Sequence, residues 1–260
     1  MTRNEWACDD MGSGLPLVLI HGFPMDRTLW RHQRDALRTL TRVMTVDLPG
    51  FGETPLPETP WTIASVADDL RAFLAQRDAL PAIVGGLSMG GYIALAFADR
   101  HPADLRGLLL VDTKSQSDDA AGKVARDEMI TRVRTQGTSA MVDIMFPKLV
   151  GSSTITHHPE PAEQIRQMML RVAPESAVAA LGAMRDREDY TASLGRISVP
   201  TMVIVGSEDA VTPVALAECM SGQISGSDLR VISNAGHVSP MEQPLAVSAA
   251  IKEFRARVTF

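Results

Sequence analysis

The sequence predicts an α/β fold in which a mostly parallel sheet carries helices on both faces. Short apolar runs alternate with amphipathic segments along most of the 260 residues, which is the pattern of parallel strands joined by helices. A helical stretch without any strand pattern interrupts this alternation between residues 113 and 197. The apolar content of 45% is ample for a core on both sides of such a sheet.

Six segments have the length and apolar character of buried strands. They are residues 17–20, 43–47, 82–85, 107–111, 202–205 and 229–233. Five other segments place their large apolar residues at helical spacing. They are residues 26–39, 62–77, 89–100, 213–220 and 244–257. Asp26 and Thr62 suit the N-cap position, and Pro244 suits the first position of a helix.

The segment at residues 113–197 is expected to form a helical cap inserted in the core. Its predicted helices, with a break at residues 151–159, are residues 118–135, 138–145, 161–171 and 174–185. Because the segment follows a predicted strand, it is expected to lie over the C-terminal face of the sheet, where a cap excludes water and shapes a pocket. We therefore expect an α/β core of residues 1–112 and 198–260.

The pentapeptide Gly-Leu-Ser-Met-Gly at residues 86–90 lies between a predicted strand and the helix that follows it. A serine at such a turn is held in a strained conformation, and side chains two residues away on either side would collide with the neighbouring strand and helix. The spacing therefore predicts a nucleophile elbow with Ser88 at its tip. A glycine-rich turn with an uninvolved serine has the same pattern, so the assignment depends on the other motifs.

The tetrapeptide His-Gly-Phe-Pro at residues 21–24 follows the first predicted strand. In a fold with a nucleophile elbow, the loop after this strand supplies one of two backbone N–H groups that hold an oxyanion. The predicted donors are the amides of Phe23 and of Met89, the residue after Ser88. We expect His21 to support the loop and not to act as the base.

Two further candidates, Asp209 and His237, follow the last two predicted strands. The chain order Ser88, Asp209, His237 is that of a Ser-His-Asp triad on an α/β-hydrolase sheet, and open α/β sheets bind ligands beyond the C-terminal ends of their strands. Asp112 also follows a strand and is the rival acid, although we expect it to cap the start of the insertion. Glu208 is expected to point elsewhere, because adjacent side chains diverge.

With these motifs, the chain resembles the α/β-hydrolase superfamily over nearly its full length. The segments that carry the resemblance are the elbow and residues 21–24, 47–52, 206–213, 236–237 and 242–244. Within the superfamily the chain is most similar to small serine carboxylesterases and enol-lactonase-like hydrolases. The resemblance implies that Ser88, Asp209 and His237 act together. It also implies opening antiparallel strands, one of which we expect to be missing or abbreviated because the segment before residue 15 is short.

Four functions are compatible with this resemblance. The leading hypothesis is a serine hydrolase that cleaves a small or medium carboxylic ester. Dehalogenases and epoxide hydrolases of this fold use a carboxylate at the elbow, so the serine argues against both. The second is an enol-lactonase-like hydrolase of aromatic catabolism, for which cations of the cap could hold substrate carboxylates. The candidate cations are Arg132, Arg134, Lys148 and Arg166. The third is a cofactor-free haloperoxidase or perhydrolase, and the fourth is a slow-turnover ligand-binding protein.

The predicted cap is rich in methionine, whose flexible thioether suits an adaptable apolar pocket. Met25 and Met145 are the preferred pocket residues. Packing between cap helices accounts for most of the other methionines.

Composition argues against several other classes of function. The net charge is −6 and no basic run occurs, which argues against nucleic-acid binding. No apolar stretch is long enough to span a membrane, and we expect a cytoplasmic protein with a small-molecule ester or lactone substrate and no membrane partner.

Cys8 and Cys219 suggest no disulfide, and the adjacent His157 and His158 are interpreted as exposed loop residues, so no metal or cofactor is expected. A monomer and a homodimer fit the sequence equally well.

Overall fold

The computed structural model describes residues 6–259, and the strands within this range form one seven-stranded sheet of order β1-β3-β2-β4-β5-β6-β7. The strands are β1 (Cys8–Met11), β2 (Pro16–Ile20), β3 (Arg42–Val46), β4 (Ala82–Leu87), β5 (Leu105–Val111), β6 (Thr201–Gly206) and β7 (Asp228–Ile232). Strand β1 pairs antiparallel with β3, and all the other pairings are parallel. The predicted α/β fold with a mostly parallel sheet is confirmed.

All six predicted strands are present, with boundaries that differ by one or two residues. The addition among the described residues is β1, a short antiparallel strand at the sheet edge. Its sequence contains two adjacent aspartates and lacks an apolar run, so the pattern did not indicate it. Its strand conformation depends on pairing with β3.

Eleven α-helices occur in the described range. They are α1 (Arg31–Leu37), α2 (Ile63–Ala75), α3 (Met89–Arg100), α4 (Ala120–Gln136), α5 (Thr138–Leu149), α6 (Ser152–His157), α7 (Pro159–Leu170), α8 (Pro174–Arg185), α9 (Val214–Gln223), α10 (Ser239–Glu242) and α11 (Pro244–Arg257). Short 3₁₀ helices occur at Arg27–Trp30, Pro102–Asp104 and Thr191–Arg196.

Local capping chemistry explains where several helices begin. The Asp26 carboxylate accepts a hydrogen bond from the Thr28 amide at 3.0 Å and starts the 3₁₀ turn that leads into α1. Thr62 and Ser65 form a reciprocal capping box at the start of α2. Pro244 occupies the first position of α11, as predicted. The predicted helix at residues 26–39 is shorter than expected, because its first turn is 3₁₀ and α1 ends at Leu37.

Helices α4 to α8, which we call the inserted helices, occupy the stretch between β5 and β6. The predicted break at residues 151–159 is wrong, because this stretch contains α6. Two carboxylates from distant parts of the chain accept hydrogen bonds from its first turn: Glu242 from the Gly151 amide at 2.8 Å, and Glu208 from the Ser153 amide at 2.9 Å. These long-range contacts stabilise a helix that its own sequence does not indicate.

Strands β2, β4 and β6 are buried at every residue, which requires cover on both faces of the sheet. Helix α3 packs against β4 and β5, and α11 packs against β6 and β7. Because β4 to β7 are parallel, their C-terminal ends lie along one edge. The segments that carry the predicted functional residues leave the sheet at that edge.

Candidate active site

Ser88 lies at the junction of β4 and α3 with a positive φ of 52° and a ψ of −111°. This region of backbone space is sparsely populated for residues with a side chain, and it persists only when the surroundings fix it. The Ser88 amide donates to the carbonyl of Val111 at 3.0 Å, and its own carbonyl accepts from the amides of Gly91 at 2.9 Å and Tyr92 at 3.1 Å. The strained turn is therefore held on both sides.

The two glycines around Ser88 are sterically required. A β-carbon on Gly86 would collide with the carbonyl group of Gly90, and one on Gly90 would collide with the carbonyl oxygens of Ile20 and His21. In both cases the obstacle is backbone, which cannot move aside as a flexible side chain can. The structure thus has the tight strand-to-helix turn that the glycine spacing predicts.

The loop after β2 lies directly against the elbow. A β-carbon on Gly22 would be 3.3 Å from the β-carbon of Ser88. His21 is fully buried; its Nε2 accepts from the Leu48 amide at 3.0 Å, so its Nδ1 carries the proton and donates to the Gly22 carbonyl at 2.9 Å. Burial lowers the pKa of His21 and keeps the ring neutral. His21 thus supports the loop, as expected.

Asp209 and His237 form a buried pair beyond β6 and β7. Oδ2 of Asp209 accepts from Nδ1 of His237 at 2.8 Å and from the Thr212 hydroxyl at 2.7 Å, while Oδ1 accepts from the amides of Val211 at 2.8 Å and Thr212 at 2.9 Å. Burial raises the pKa of Asp209, but the His237 charge and these hydrogen bonds outweigh it and lower the pKa below its usual value. The carboxylate is ionised and fixed in orientation.

Ser88 lies at the same sheet edge as this pair, and its side chain makes no hydrogen bond within 3.5 Å to any residue between 6 and 259. Its strand, β4, is separated from β6 by β5 alone. Ser88 as a residue is 8% exposed. Hydrogen bonds between a nucleophile and its base are often long without substrate. The structure therefore brings Asp209 and His237 into contact and places Ser88 at the same edge.

Asp112, the rival acid, has a different set of partners. Its fully buried carboxyl accepts from the Gly206 amide at 2.8 Å and from the amide and hydroxyl of Ser239 at 3.2 and 2.6 Å. Burial raises its pKa well above the usual value, and the nearby Asp209 charge adds to the effect. The expectation that Asp112 caps the insertion is wrong, because Asp119 caps α4 through the Gly122 amide at 2.7 Å. Asp112 instead ties the end of β5 to the loops after β6 and β7.

A family model described as the alpha/beta hydrolase family matches residues 17–250. The chain belongs to the alpha/beta hydrolase family. The solved structure of a thermophilic esterase from Thermogutta terrifontis matches with a TM-score of 0.95 at 42% identity and covers 98% of this chain and 94% of that one. A pimeloyl-acyl-carrier-protein methyl ester esterase from Neisseria meningitidis is 29% identical over a 248-residue alignment that covers 92% of this chain and 92% of that protein. The 3-oxoadipate enol-lactonase 2 of Acinetobacter baylyi is 26% identical over 241 residues, which are 93% of this chain and 88% of that protein.

These likenesses confirm the resemblance and support an esterase-like hydrolase activity. No helix in the described range is long and apolar enough to cross a membrane. Within the same range, no group of three or more His, Cys, Asp or Glu side chains is arranged to hold a metal ion.

No individual role was predicted from the sequence for three side chains that hold this candidate site together. Thr212 bonds the Asp209 carboxylate, Thr113 donates to the Ser88 carbonyl at 2.8 Å, and Glu242 accepts from the amides on both sides of His237. Thr212 has a local signal, since a hydroxyl three residues after an aspartate commonly completes a side-chain-supported turn. Thr113 and Glu242 act across the fold and have no such local signal.

Glu208 points away from Asp209, as predicted. Its carboxylate accepts from the Ser152 hydroxyl at 3.1 Å, the Ser153 amide at 2.9 Å and the Ser153 hydroxyl at the start of α6. The residue beside the candidate triad acid therefore fastens an inserted helix to the hydrolase core.

The cations that a lactonase would use do not line a buried anion site in this hydrolase. Arg132, Arg134 and Lys148 are exposed, and Arg166 pairs with Asp143 at 3.0 Å on the surface. Their exposure indicates that these side chains are solvated or form ion pairs at the surface.

A buried cation that the sequence pattern did not indicate is Arg187, whose side chain is 1% exposed. Its guanidinium donates to Asp118 at 2.9 Å and lies 4.2 Å over the ring of Tyr92, four residues beyond Ser88. Arg187 thus joins the end of the insertion to α3 behind the elbow.

A cleft of about 850 Å³ lies between the loop at residues 56–62 and helices α4 and α8. Its lining includes Trp61, Ile130 and Val178, but neither of the predicted pocket methionines. Met25 is fully buried and Met145 is half-buried against the core. Their assignment to a substrate pocket stays a prediction.

Proposed function

We propose that this protein is a serine hydrolase that cleaves a small or medium carboxylic ester through an acyl-enzyme on Ser88. The observation that carries the proposal is the 2.8 Å contact between Asp209 and His237 at the sheet edge where the elbow holds Ser88. A buried carboxylate, an imidazole and a strained serine are the parts that nucleophilic acyl transfer needs. The esterase relatives support the same chemistry.

In the first half-reaction, Nε2 of His237 accepts the proton of the Ser88 hydroxyl as Oγ attacks the ester carbonyl carbon. The carbonyl π electrons move to oxygen, and the backbone N–H groups of Phe23 and Met89 stabilise this oxyanion. When the tetrahedral intermediate collapses, the bond to the alcohol oxygen breaks and the imidazolium protonates the leaving alcohol.

In the second half-reaction, His237 accepts a proton from water, and the hydroxyl oxygen attacks the acyl carbon. Collapse breaks the bond to Ser88 Oγ, which takes the proton back from the imidazolium, and the carboxylic acid leaves. Asp209 holds the Nδ1–H tautomer through both steps and stabilises each imidazolium. The hydrogen bonds at its other oxygen keep the carboxylate from rotating.

We assign residues 113–197 as the cap of this site and, within the described range, residues 6–112 and 198–259 as the core; residues 1–5 and 260 of the predicted core lie outside that range. One contact that supports this assignment joins the loop of the proposed catalytic base to the insertion. The His237 amide donates to the carbonyl of Leu149, the last residue of α5, at 2.9 Å. A cap in this position shields the oxyanion and the acyl-enzyme from bulk water. Met25 and Met145 are our candidates for the walls of the acyl pocket.

Lactone hydrolysis is the second candidate, because a lactone is a cyclic ester and an enol-lactonase is among the relatives. The same three residues would open the ring, and the leaving alcohol would remain joined to the acyl group. The exposed positions of Arg132 and Lys148 favour an uncharged substrate over the carboxylate-bearing one, whereas Arg134 lines the cleft of about 850 Å³.

The test is hydrolysis of a chromogenic ester series of increasing acyl length, with a neutral and a carboxylate-bearing lactone beside it. We expect turnover of the esters by the wild type and a loss of roughly 10⁴-fold or more in kcat for Ser88→Ala. Ser139→Ala, at an exposed position in α5, is the matched control and should retain wild-type rates. Activity that survives in Ser88→Ala, or a folded wild type that hydrolyses neither esters nor lactones, would overturn the proposal.

A further inference from the structure

We propose that Glu242 is a positioning residue that fixes the backbone on both sides of His237 and joins it to the inserted helices. This inference rests on the proposed function, in which His237 is the base. Glu242 lies in α10, five residues after His237, and is 4% exposed. A carboxylate so well buried needs hydrogen-bond donors around it.

Two of these donors belong to the loop that carries the base. The Gly236 amide donates to Oε2 of Glu242 at 3.0 Å, and the Val238 amide donates to Oε1 at 3.1 Å. The amide between them, that of His237 itself, donates to the Leu149 carbonyl at 2.9 Å. Three consecutive amides are thus held by hydrogen bonds, which fixes the position of the His237 Cα from which the imidazole projects.

The other two donors belong to the first turn of α6. The Gly151 amide and the Thr154 hydroxyl donate to the same Oε2 at 2.8 and 2.7 Å. All four partners of Glu242 donate, so the site is complementary to a carboxylate and not to an amide, whose NH₂ group would face a donor. One side chain therefore connects the base loop to the insertion.

Close backbone packing makes this double contact possible. A β-carbon on Gly236 would lie 2.9 Å from the carbonyl carbon of Val150 and 3.0 Å from the Cα of Gly151. A β-carbon on Gly151 would lie 2.8 Å from the Gly236 amide nitrogen. The two backbone segments touch without side chains between them, so Glu242 reaches both.

Removal of one acceptor leaves a buried amide beside His237 without a partner and releases the loop. A displacement of about 1 Å in a reacting group can cost about 100-fold in rate. We expect Glu242→Gln to lower kcat by about 10- to 100-fold and to leave KM within about twofold, because the base is misplaced while the pocket is unchanged.

The matched control is Glu208→Gln. Glu208 accepts from Ser152 and Ser153 in the same turn of α6, but its carboxylate is bonded to the insertion and not to the base loop. A purely structural role in holding α6 predicts the same loss for both variants. A positioning role predicts that Glu208→Gln keeps kcat within about twofold of the wild type.

The experiment compares wild type, Glu242→Gln, Glu208→Gln and His237→Ala with one chromogenic ester, after circular dichroism has shown that each is folded. The second readout is the downfield proton NMR resonance of the His237 Nδ1–H shared with Asp209. This signal should broaden in Glu242→Gln, because the loosened loop admits exchange, and stay sharp in Glu208→Gln. If Glu242→Gln does not fold, Thr154→Val takes its place, with an expected fall in kcat of about 3- to 10-fold.

The inference is overturned if folded Glu242→Gln matches the wild type in both kcat and the resonance, or if Glu208→Gln loses as much kcat. It is equally overturned if Thr154→Val, used in its place, has wild-type kcat. An active His237→Ala variant would instead refute the proposed function, so the two failures are distinguishable.

Discussion

Nδ1 of His237 lies 2.8 Å from Oδ2 of Asp209, in a contact where the two side chains are 1% and 0% exposed. The other carboxylate oxygen is occupied by the amides of Val211 and Thr212. The carboxylate therefore cannot rotate to offer a different oxygen without losing two hydrogen bonds. This geometry selects the ring tautomer whose Nε2 is free to accept a proton.

Replacement of Asp209 by Asn should remove this selection. The NH₂ group of the asparagine would face the Nδ1–H group of His237, and two donors cannot form a hydrogen bond with each other. The ring therefore adopts the other tautomer, in which Nε2 carries the proton and can no longer accept the Ser88 proton. We expect Asp209→Asn to lower kcat by about 10⁴-fold with little change in KM, measured with the best ester of the series.

Asp112→Asn is the matched comparison, because Asp112 lies in the same region but is bonded to Gly206 and Ser239. We expect this variant to keep kcat within about tenfold of the wild type, because the Asp112 carboxyl holds Gly206 and Ser239, whereas Asp209 makes the hydrogen bond to His237. A larger loss in Asp112→Asn than in Asp209→Asn would identify Asp112 as the acid.

Gly86→Ala tests the steric basis of the elbow. Its β-carbon would collide with the backbone of Gly90, so the turn must open or the chain must strain. We expect a loss of at least about 3 kcal/mol in unfolding free energy, seen as a fall in Tm of about 6–12 °C.

Gly182→Ala is the control for this substitution, because a β-carbon there has no heavy atom within 4 Å in helix α8. It should stabilise the protein by about 0.5–1 kcal/mol through the better helix propensity of alanine. Equal Tm values for the two variants would show that the elbow is not sterically closed.

Asp118 should make stability depend on pH in the acid range. Burial opposes its ionisation, but the hydrogen bond from Arg187 and the charges of Arg126 and Arg187 prevail and lower its pKa from 3.8 to about 2. A carboxyl whose pKa is lower in the folded state stabilises the fold above its unfolded-state pKa, and this contribution is lost as the pH falls through the folded-state value.

The Tm difference between wild type and Asp118→Asn should therefore be largest above about pH 4 and shrink as the pH falls to about 2. Thermal unfolding followed by circular dichroism at several pH values measures it. A difference that stays constant over this range would exclude the ion pair as its source.

Much of the fold and of the candidate site could be predicted because it depends on local chemistry. The glycines at residues 86 and 90 are needed within a few residues of Ser88, and the apolar runs that form β2, β4 and β6 are buried on both faces. The caps at Asp26 and Thr62 likewise act on their own helices. Such signals are visible in a single sequence.

The features that the sequence did not indicate depend on contacts between distant segments. Helix α6 is stabilised by Glu242, 91 residues from Gly151, and Arg187 donates to Asp118, 69 residues away. Strand β1 exists because β3 pairs with it, although its own residues are half aspartate. Neither hydrophobic periodicity nor residue spacing carries this information.

Mass spectrometry of the protein after reaction with an aryl organophosphate tests whether Ser88 is the nucleophile. We expect one adduct per chain, located on Ser88 by peptide mapping, together with loss of ester hydrolysis; the His237→Ala variant should be labelled slowly. An adduct on another residue that abolishes activity, or full inactivation with Ser88 unmodified, would contradict this assignment.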